Sequence, residues 1–404
     1  MAEFYDAIIV GTRCAGASLA MLLARKGLRV LGVDRAKFPS DAISTHFMFP
    51  RTTAFLENWG LLDRLAATGC PMIKTITLDY GPVRIRGIPD AVDGTSAMYC
   101  ARRYILDPLL IEAARAAGAE MRETTTVRDL IWDAARAVGI RAIDEHGQSR
   151  EARATIIVGA DGLWSRVARA AQAPAEIDHP ARTGGYFSYW AGVPTDGVEF
   201  YLRARREILV FPTHDDLTCI WVGWPRDEFA AYSAAVETNY RATLALAPGL
   251  AARVKDGRRA APFRGTNKLP NFYRRAGGEG WALVGDAAYH RDPITGMGIG
   301  DAFLGAQLLA DAIAAALGGT AAFEQALGAY SAEFRARTHP VFQYTLRAAA
   351  LDDPAPLLPF YAAIENDPEA VRRLLNVVAG IAGADTIFNR QNIARTIAQA
   401  SAVK

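Results

Sequence analysis

Cysteine is scarce in this sequence, and the few present are expected to be reduced thiols. Cys14, Cys70, Cys100 and Cys219 are far apart and form no CxxC, so neither a disulfide framework nor a thiolate metal site is expected. The 6 histidines do not cluster, and a metal centre has no support from them. No dense basic run interleaved with aromatics occurs, and the net charge is only +2, which argues against nucleic acid or an anionic membrane as partner. No uncharged apolar run approaches the roughly 20 residues that span a bilayer, so no membrane span is expected. The opening MAEFYDAIIVG carries acids and runs directly into a strand pattern, unlike a secretion signal, so the expected location is cytoplasmic.

What is present is a globular composition, 51% apolar and 22% charged, over 404 residues. That is too long for one ordinary core and predicts two interleaved domains. DAIIV at 6–10 is a continuous apolar run ending in Gly11, as a buried parallel strand should be. An Ala/Leu helix over 15–27 follows, then a strand over 28–33 ending on Asp34, which makes a βαβ unit. Residues 73–80 and 83–88 alternate around Gly81-Pro82 and predict a hairpin. Residues 104–118 read as helix, and 154–158 as another apolar strand. Short aromatic-rich runs over 183–224 read as an antiparallel sheet. Residues 228–256 are predicted helical, 281–287 a strand, 298–316 a long helix, and the rest mostly helix with breaks at Pro340, Pro354, Pro356, Pro359 and Pro368. The fold class is thus α/β: a Rossmann-type domain over 1–72, 101–178 and 266–344, interrupted by a smaller antiparallel-sheet domain over 73–100 and 179–265, with a helical C-terminal segment over 345–404.

Three strand ends carry the chemistry. The first reads Gly11-Thr12-Arg13-Cys14-Ala15-Gly16, where Gly11 and Gly16 fit the tight turn and the close helix packing of a dinucleotide fold. Arg13 stands where the middle glycine belongs, and its guanidinium can lie beside phosphates. Asp34, at the end of the second strand, suits ribose hydroxyls. The second reads Gly159-Ala160-Asp161-Gly162-Leu163-Trp164-Ser165-Arg166. The third is Gly285-Asp286-Ala287-Ala288, continuing through Pro293, Gly296, Gly298, Gly300 and Asp301. Closely spaced glycines before a helix let backbone approach a flat ligand, and a helix starting near Gly298 would aim its dipole at an anionic ring edge. Asp286 fits either polyol hydroxyls or a helix N-cap.

In this order, G11-x-R13-x-A-G16…D34, R103-x-x-L106-D107, G159-A-D-G-x-x-S165 and G285-D-A…P293…G298…D301 resemble the group A flavoprotein monooxygenases. This is the para-hydroxybenzoate hydroxylase class, and the likeness is greater to its geranylgeranyl reductase and halogenase-like branch. The resemblance covers roughly half to two-thirds of the chain and implies a bound FAD. It implies that Gly11, Arg13 and Gly16 hold the pyrophosphate and Asp34 the adenosine ribose, with Ala15 and Arg35 beside them in the cofactor-binding set. Arg103 would lie along the FAD, and Asp161 and Gly162 would serve both FAD and a nicotinamide donor. Gly285 and Asp286 would bind the ribityl chain or pyrophosphate. The Pro293 loop, with Gly296, Met297, Gly298 and Ile299, would present amides to the flavin N1–O2 edge. The missing middle glycine departs from the family pattern and leaves the role of Arg13 open.

The activity so implied is NADH- or NADPH-driven hydroxylation of an aromatic or other planar apolar small molecule, with O2 as co-substrate and a flavin C4a-hydroperoxide as oxygen donor. The flavin supplies the chemistry, and the protein supplies orientation, electrostatics and dryness. Candidate catalytic residues are His46, Tyr289, His290 and Pro293. Candidate substrate contacts are Tyr186, Tyr189, Phe211 and Trp221, with Trp190 and Trp224 in the same aromatic set. A surface or structural role is the alternative for His46, and loop anchoring for Tyr289 and His290. Alternation along strands sends about half of the aromatics to a core instead. Three competing activities remain: C=C reduction, for which Ile208–Pro212 resembles a reductase strand; halogenation, against which Trp221-Val222-Gly223-Trp224-Pro225 has the wrong spacing although Lys74 opens a strand; and flavin binding without turnover. A separate flavin reductase is a conceivable partner. The C-terminal helices fit a lid, a homodimer face or a stabilising cap.

Overall fold

A computed structural model describes residues 3–402. Its first sheet is centred on Glu3–Val10, which pairs in parallel with Val30–Val33 on one side and Ser149–Gly159 on the other. Glu120–Arg122 and Trp281–Leu283 extend the two sides, also in parallel. These central strands are Val/Ile/Ala-rich and buried on both faces, as sheet covered by helices requires. Register decides what this sheet positions. Val10 pairs with both Gly159 and Val33, and Gly159 pairs with Leu283, so the three glycine turns leave the sheet side by side. Backbone bonds hold them so: Gly11 N–H donates to Val33 (2.8 Å), Ala160 to Val10 (2.8 Å) and Val284 to Gly159 (2.9 Å). Thr126–Asp133 and Arg136–Ile143 add an antiparallel edge.

The helix Cys14–Arg25 packs between Arg103–Ala116 and Gly298–Leu317. Its small residues allow this close approach, and Gly27, at φ +82°, ends it in the left-handed conformation that favours glycine. Gly298–Leu317 is long and apolar enough to cross a membrane by length and composition. Half of its apolar stretch is buried inside this fold, so its apolarity serves the core.

The second sheet runs in the order Arg258–Arg259, Thr183–Ala191, Leu217–Pro225, Arg206–Pro212, Val198–Arg203, Ile76–Asp79, Arg84–Gly87, with Arg264–Thr266 also paired to Thr183–Ala191. The predicted hairpin forms its far edge. All pairs are antiparallel except Val198–Arg203 with Ile76–Asp79. One face, with Trp190, Ile208, Ile220 and Trp224, is backed by Tyr232, Tyr240, Leu244 and Leu250 from residues 229–255. The other face, with Phe187, Tyr189, Leu209, Phe211 and Trp221, joins Phe47, Phe49 and the C-terminal residues Phe360, Tyr361 and Leu374.

Two helical expectations need correcting. Residues 228–256 are three short helices, Phe229–Ser233, Val236–Leu244 and Pro248–Lys255, rather than one. Pro340 does not break its helix: Phe323–Ala348 runs through it, because buried Phe334, Phe342 and Leu346 on both sides hold the turns that lose one amide. Pro359 and Pro368 do sit at helix starts. The C-terminal segment packs on the second sheet. A methyl at Gly87 would lie 2.9 Å from Val371 and Leu375, and one at Gly380 would lie 2.9 Å from Met297 Sδ.

Candidate functional site

The three turns open into one cleft of about 680 Å³, within the usual range for small-molecule sites. Gly11, Arg13, Ala15, Asp34, Arg35, Arg103, Asp161, Gly162, Gly285, Asp286, Pro293, Gly296, Met297, Gly298 and Ile299 all line it. Gly16 lies behind the wall, where a Cβ would fall 1.8 Å from the Gly11 carbonyl oxygen. Gly11 has φ +93°, and its Cβ would sit 2.5 Å from the Ala160 oxygen, so the turn itself demands glycine at both positions. Asp34 accepts hydrogen bonds from the amides of Thr12 (2.7 Å) and Ala36 (2.8 Å). The carboxylate thereby fixes the first turn and keeps lone pairs for hydroxyl donors.

Arg13 acquires a structural role. Its Nη1 is 2.6 Å from Asp107 Oδ2, and Arg103, one turn back on the same helix, grips the same carboxylate at 2.8 Å. Asp107 is fully buried. Two guanidiniums on one carboxylate leave a net positive charge in the cleft wall, suited to phosphate oxygens. Burial pushes the neighbouring Cys14 thiol up to about 12, so it stays protonated.

The cleft also receives two uncapped helix starts. No side chain caps Cys14–Arg25 or the 20-residue helix Gly298–Leu317. Orphan amides at a helix start need some acceptor, and a ligand is one of the few available. By contrast, the helix Arg166–Ala170 is capped: Ser165 accepts from the Ala168 amide (2.9 Å), and Asp161 accepts from Ser165 Oγ (2.5 Å) and the Arg166 amide (2.6 Å). Asp286 is not a helix N-cap; that position is Val284, and Asp286 is the exposed residue of its turn at the cleft wall. The Pro293 loop is tied down from both sides. Asp292 accepts from Thr183 Oγ1 (2.7 Å), and Arg291 pairs with Asp301 (2.8 Å) and donates to Thr295 (2.7 Å) and Thr345 (2.8 Å). Tyr289 and His290 both touch the cleft. Tyr289 is buried against Tyr273, and His290 Nδ1 meets the Pro270 carbonyl at 2.5 Å.

At the far end of the cleft stand His46, Phe47, Phe187, Trp221 and Leu269. His46 has φ +47°, a strained value that clusters at functional sites, and is completely buried. Its Nε2 lies 2.6 Å from the Tyr189 hydroxyl, and the Arg102 guanidinium covers the Tyr189 ring at 3.8 Å. Burial, and then the charge of Arg102, holds His46 well below the ordinary imidazole range, so it is neutral. Its Nδ1 has no partner among the described residues.

Of the four aromatics expected at the substrate, only Trp221 lines the cleft. Tyr189 and Phe211 share its face but lie beside the His46 ring, at 5.8 and 6.2 Å between centroids. Tyr186 is on the opposite face, stacked on Phe229, and its neighbour Phe187 takes the cleft position. Period-two alternation is the reason: adjacent residues of a strand point to opposite faces. Trp221 and Trp224, three apart, are divided in the same way.

The model of a family described as "FAD binding domain" matches residues 5–345. The chain belongs to that family. It is an FAD-dependent oxidoreductase of the group A flavoprotein superfamily. A digeranylgeranylglycerophospholipid reductase of Methanocella arvoryzae is 25% identical over 348 residues, covering 83% of this flavoprotein and 84% of the relative. The myxobacterial chondrochloren halogenase superposes with TM-score 0.79 at 23% identity, covering 98% and 97% of the two chains. PqsL, a probable FAD-dependent monooxygenase from Pseudomonas aeruginosa, gives TM-score 0.72 at 23% identity, covering 93% and 99%.

The residues of this flavoprotein fit FAD on their own geometry. Uncapped helix starts and a surplus guanidinium meet one end of the cleft, and a carboxylate on rigid amides meets the adenosine side. A methyl at Gly162 or Gly298 would find no protein atom within 4 Å, which leaves room for a ligand against the backbone there. Sequence reasoning gave Asp107 no role, although its i,i+4 spacing from Arg103 was the available signal. It also passed over Phe187, for which no local signal exists.

Proposed function

We propose that this flavoprotein is an NAD(P)H-dependent monooxygenase that hydroxylates an aromatic or other planar, uncharged small molecule. The observation that carries the proposal is the far end of the cleft. There Phe187, Trp221, Phe47 and Leu269 form an apolar wall beside the Pro293 loop, with a neutral His46 among the buried polar groups that line the cleft. When bound, FAD would supply reducing equivalents and oxygen activation. Arg13 and Arg103 would hold the pyrophosphate, Asp34 the adenosine ribose, and Asp286 the ribityl or pyrophosphate oxygens. The helix start at Gly298 would stabilise negative charge on the flavin's pyrimidine edge. The aromatic chamber would orient the substrate and exclude water. Asp161, engaged in capping, would reach a nicotinamide donor only through its backbone.

Halogenation is disfavoured by the cleft itself. Among the described residues no lysine lines it, and Lys74 is exposed and outside its walls. C=C reduction is the second reading, supported by relatives named as digeranylgeranylglycerophospholipid reductases at 25–26% identity. Oxygen uptake and product mass, measured on FAD-loaded protein with NADH or NADPH and a panel of phenols, separate the two. One oxygen atom added per O2 consumed supports the proposal, and stoichiometric substrate reduction without oxygen uptake overturns it. Reduction of the flavin only when a flavin reductase is added would assign a protein partner as electron source.

A further inference from the structure

The indole of Trp221 lies flat on its sheet. Trp221 stands directly across from Phe187, and Gly223 directly across from Gly185, on the antiparallel strands Leu217–Pro225 and Thr183–Ala191. A methyl at Gly223 would fall 1.9 Å from Trp221 Cη2, and one at Gly185 would fall 2.4 Å from Nε1. Side chains at those two positions would force the indole upright. The paired glycines make a shallow trough one rung long, and the ring fills it. Gly185, Phe187 and Trp221 all line the cleft, so the trough faces the chamber. Phe187 stands at the end of the trough, edge-on to His46 with centroids 6.1 Å apart. Of the ionisable residues nearby, Arg291 is engaged by Asp301 and Asp292 by Thr183, while Glu207, directly across from Gly223, is kept protonated at neutral pH by its burial. The indole N–H has no hydrogen-bond partner among the described residues.

We propose that Trp221, laid flat by Gly185 and Gly223, is the specificity platform of the chamber, and that it selects a flat, uncharged ring system with a hydrogen-bond acceptor at its edge. Trp221 is only 5% exposed, so the opening over its ring is narrow, and a planar ligand enters it where a puckered one does not. Offset stacking adds to that preference. The unpartnered N–H favours an oxygen or ring nitrogen at the ligand's rim, because a donor left unpaired on binding loses its water without compensation. The inference rests on reading the cleft as a flavin site with an adjoining substrate chamber.

The test is a binding titration, read from the flavin absorbance of the full-length FAD-loaded protein, with 2-naphthol and its saturated counterpart 2-decalol as probes. The native chain should bind the naphthol about tenfold more tightly, as expected for one stacked aromatic contact. Trp221→Leu and Gly185→Ala should each abolish the preference. Trp221→Phe should keep the preference but weaken naphthol binding about fivefold, the loss of one hydrogen bond. Gly185→Ala and Trp221→Phe keep the site filled and decide the matter if Trp221→Leu does not fold. Equal binding of the two probes by the native protein, or an unchanged preference in Trp221→Leu or Gly185→Ala, overturns the platform. Naphthol bound as described but never oxygenated leaves the platform standing and removes the monooxygenase reading. A protein that takes up no FAD removes both.

Discussion

Asp107 and Glu207 are both buried carboxyls, one on a helix behind the cleft and one on the second sheet, and their surroundings are opposite. Asp107 is gripped by Arg13 and Arg103 at the cleft wall. Glu207 sits on the chamber-side face of the second sheet, near Asp292, Tyr80 and Tyr344, and no ion pair or hydrogen bond reaches it among the described residues. Burial, and then the charge of Asp292, pushes the Glu207 carboxyl up to about 8. The first region keeps a charge buried and holds two cations with it. The second keeps its acid neutral so that the apolar face stays dry.

Removing Asp107 should give the largest effect. Asp107→Ala leaves two guanidiniums facing each other without their shared anion, and breaking such a buried network costs about 3–5 kcal/mol. Urea unfolding should show that loss, and FAD should no longer copurify. Asp107→Asn keeps one acceptor oxygen but loses the other and the charge, and should fall between. A stable, yellow Asp107→Ala protein would show that the two arginines do not need their anion.

Glu207 tests the other half. Between pH 4.5 and about 8 the unfolded chain has released this proton and the folded chain has kept it. Raising the pH through that window therefore draws the equilibrium toward unfolding, by about 1.4 kcal/mol per unit. Below the window both states are protonated and the contribution is flat. Glu207→Gln should remove this part of the slope, making the variant the more stable protein at pH 8 while matching the native one near pH 4.5. Parallel curves for the two proteins would mean that Glu207 is solvated.

Most of the cleft was legible in the sequence and most of the chamber was not, for a physical reason. Gly11, Gly162 and Gly285 lie in turns at strand ends, Asp34 closes a strand and Gly298 opens a helix, and such element boundaries leave a local residue pattern. The strand TGGYFSYWA is buried on both faces, one under helices and one over the chamber. Its polar alternation is therefore gone, and nothing local marks Phe187 rather than Tyr186 as the chamber residue. The hydrogen bond between Tyr189 and His46 joins residues 143 apart in sequence, a pairing that no local pattern encodes. Tyr189→Phe should cost about 1–3 kcal/mol, since it leaves Nε2 of a buried imidazole without a partner. It should also perturb the flavin spectrum when a ligand enters the chamber.

The smallest effect is the sharpest discriminator between the two faces of that strand. Tyr186 donates to or accepts from Ser233 at 3.1 Å on the helix-backed side. Tyr186→Phe keeps the ring stacked on Phe229 and deletes one partly buried hydrogen bond, a loss of about 1 kcal/mol. Ligand affinity in the chamber and FAD retention should not move, because the altered atom is separated from both by the thickness of the sheet. Thermal unfolding should shift slightly while 2-naphthol titrations superpose. A change in naphthol binding without a change in stability would instead put Tyr186 in contact with the ligand and reverse the assignment of the two faces.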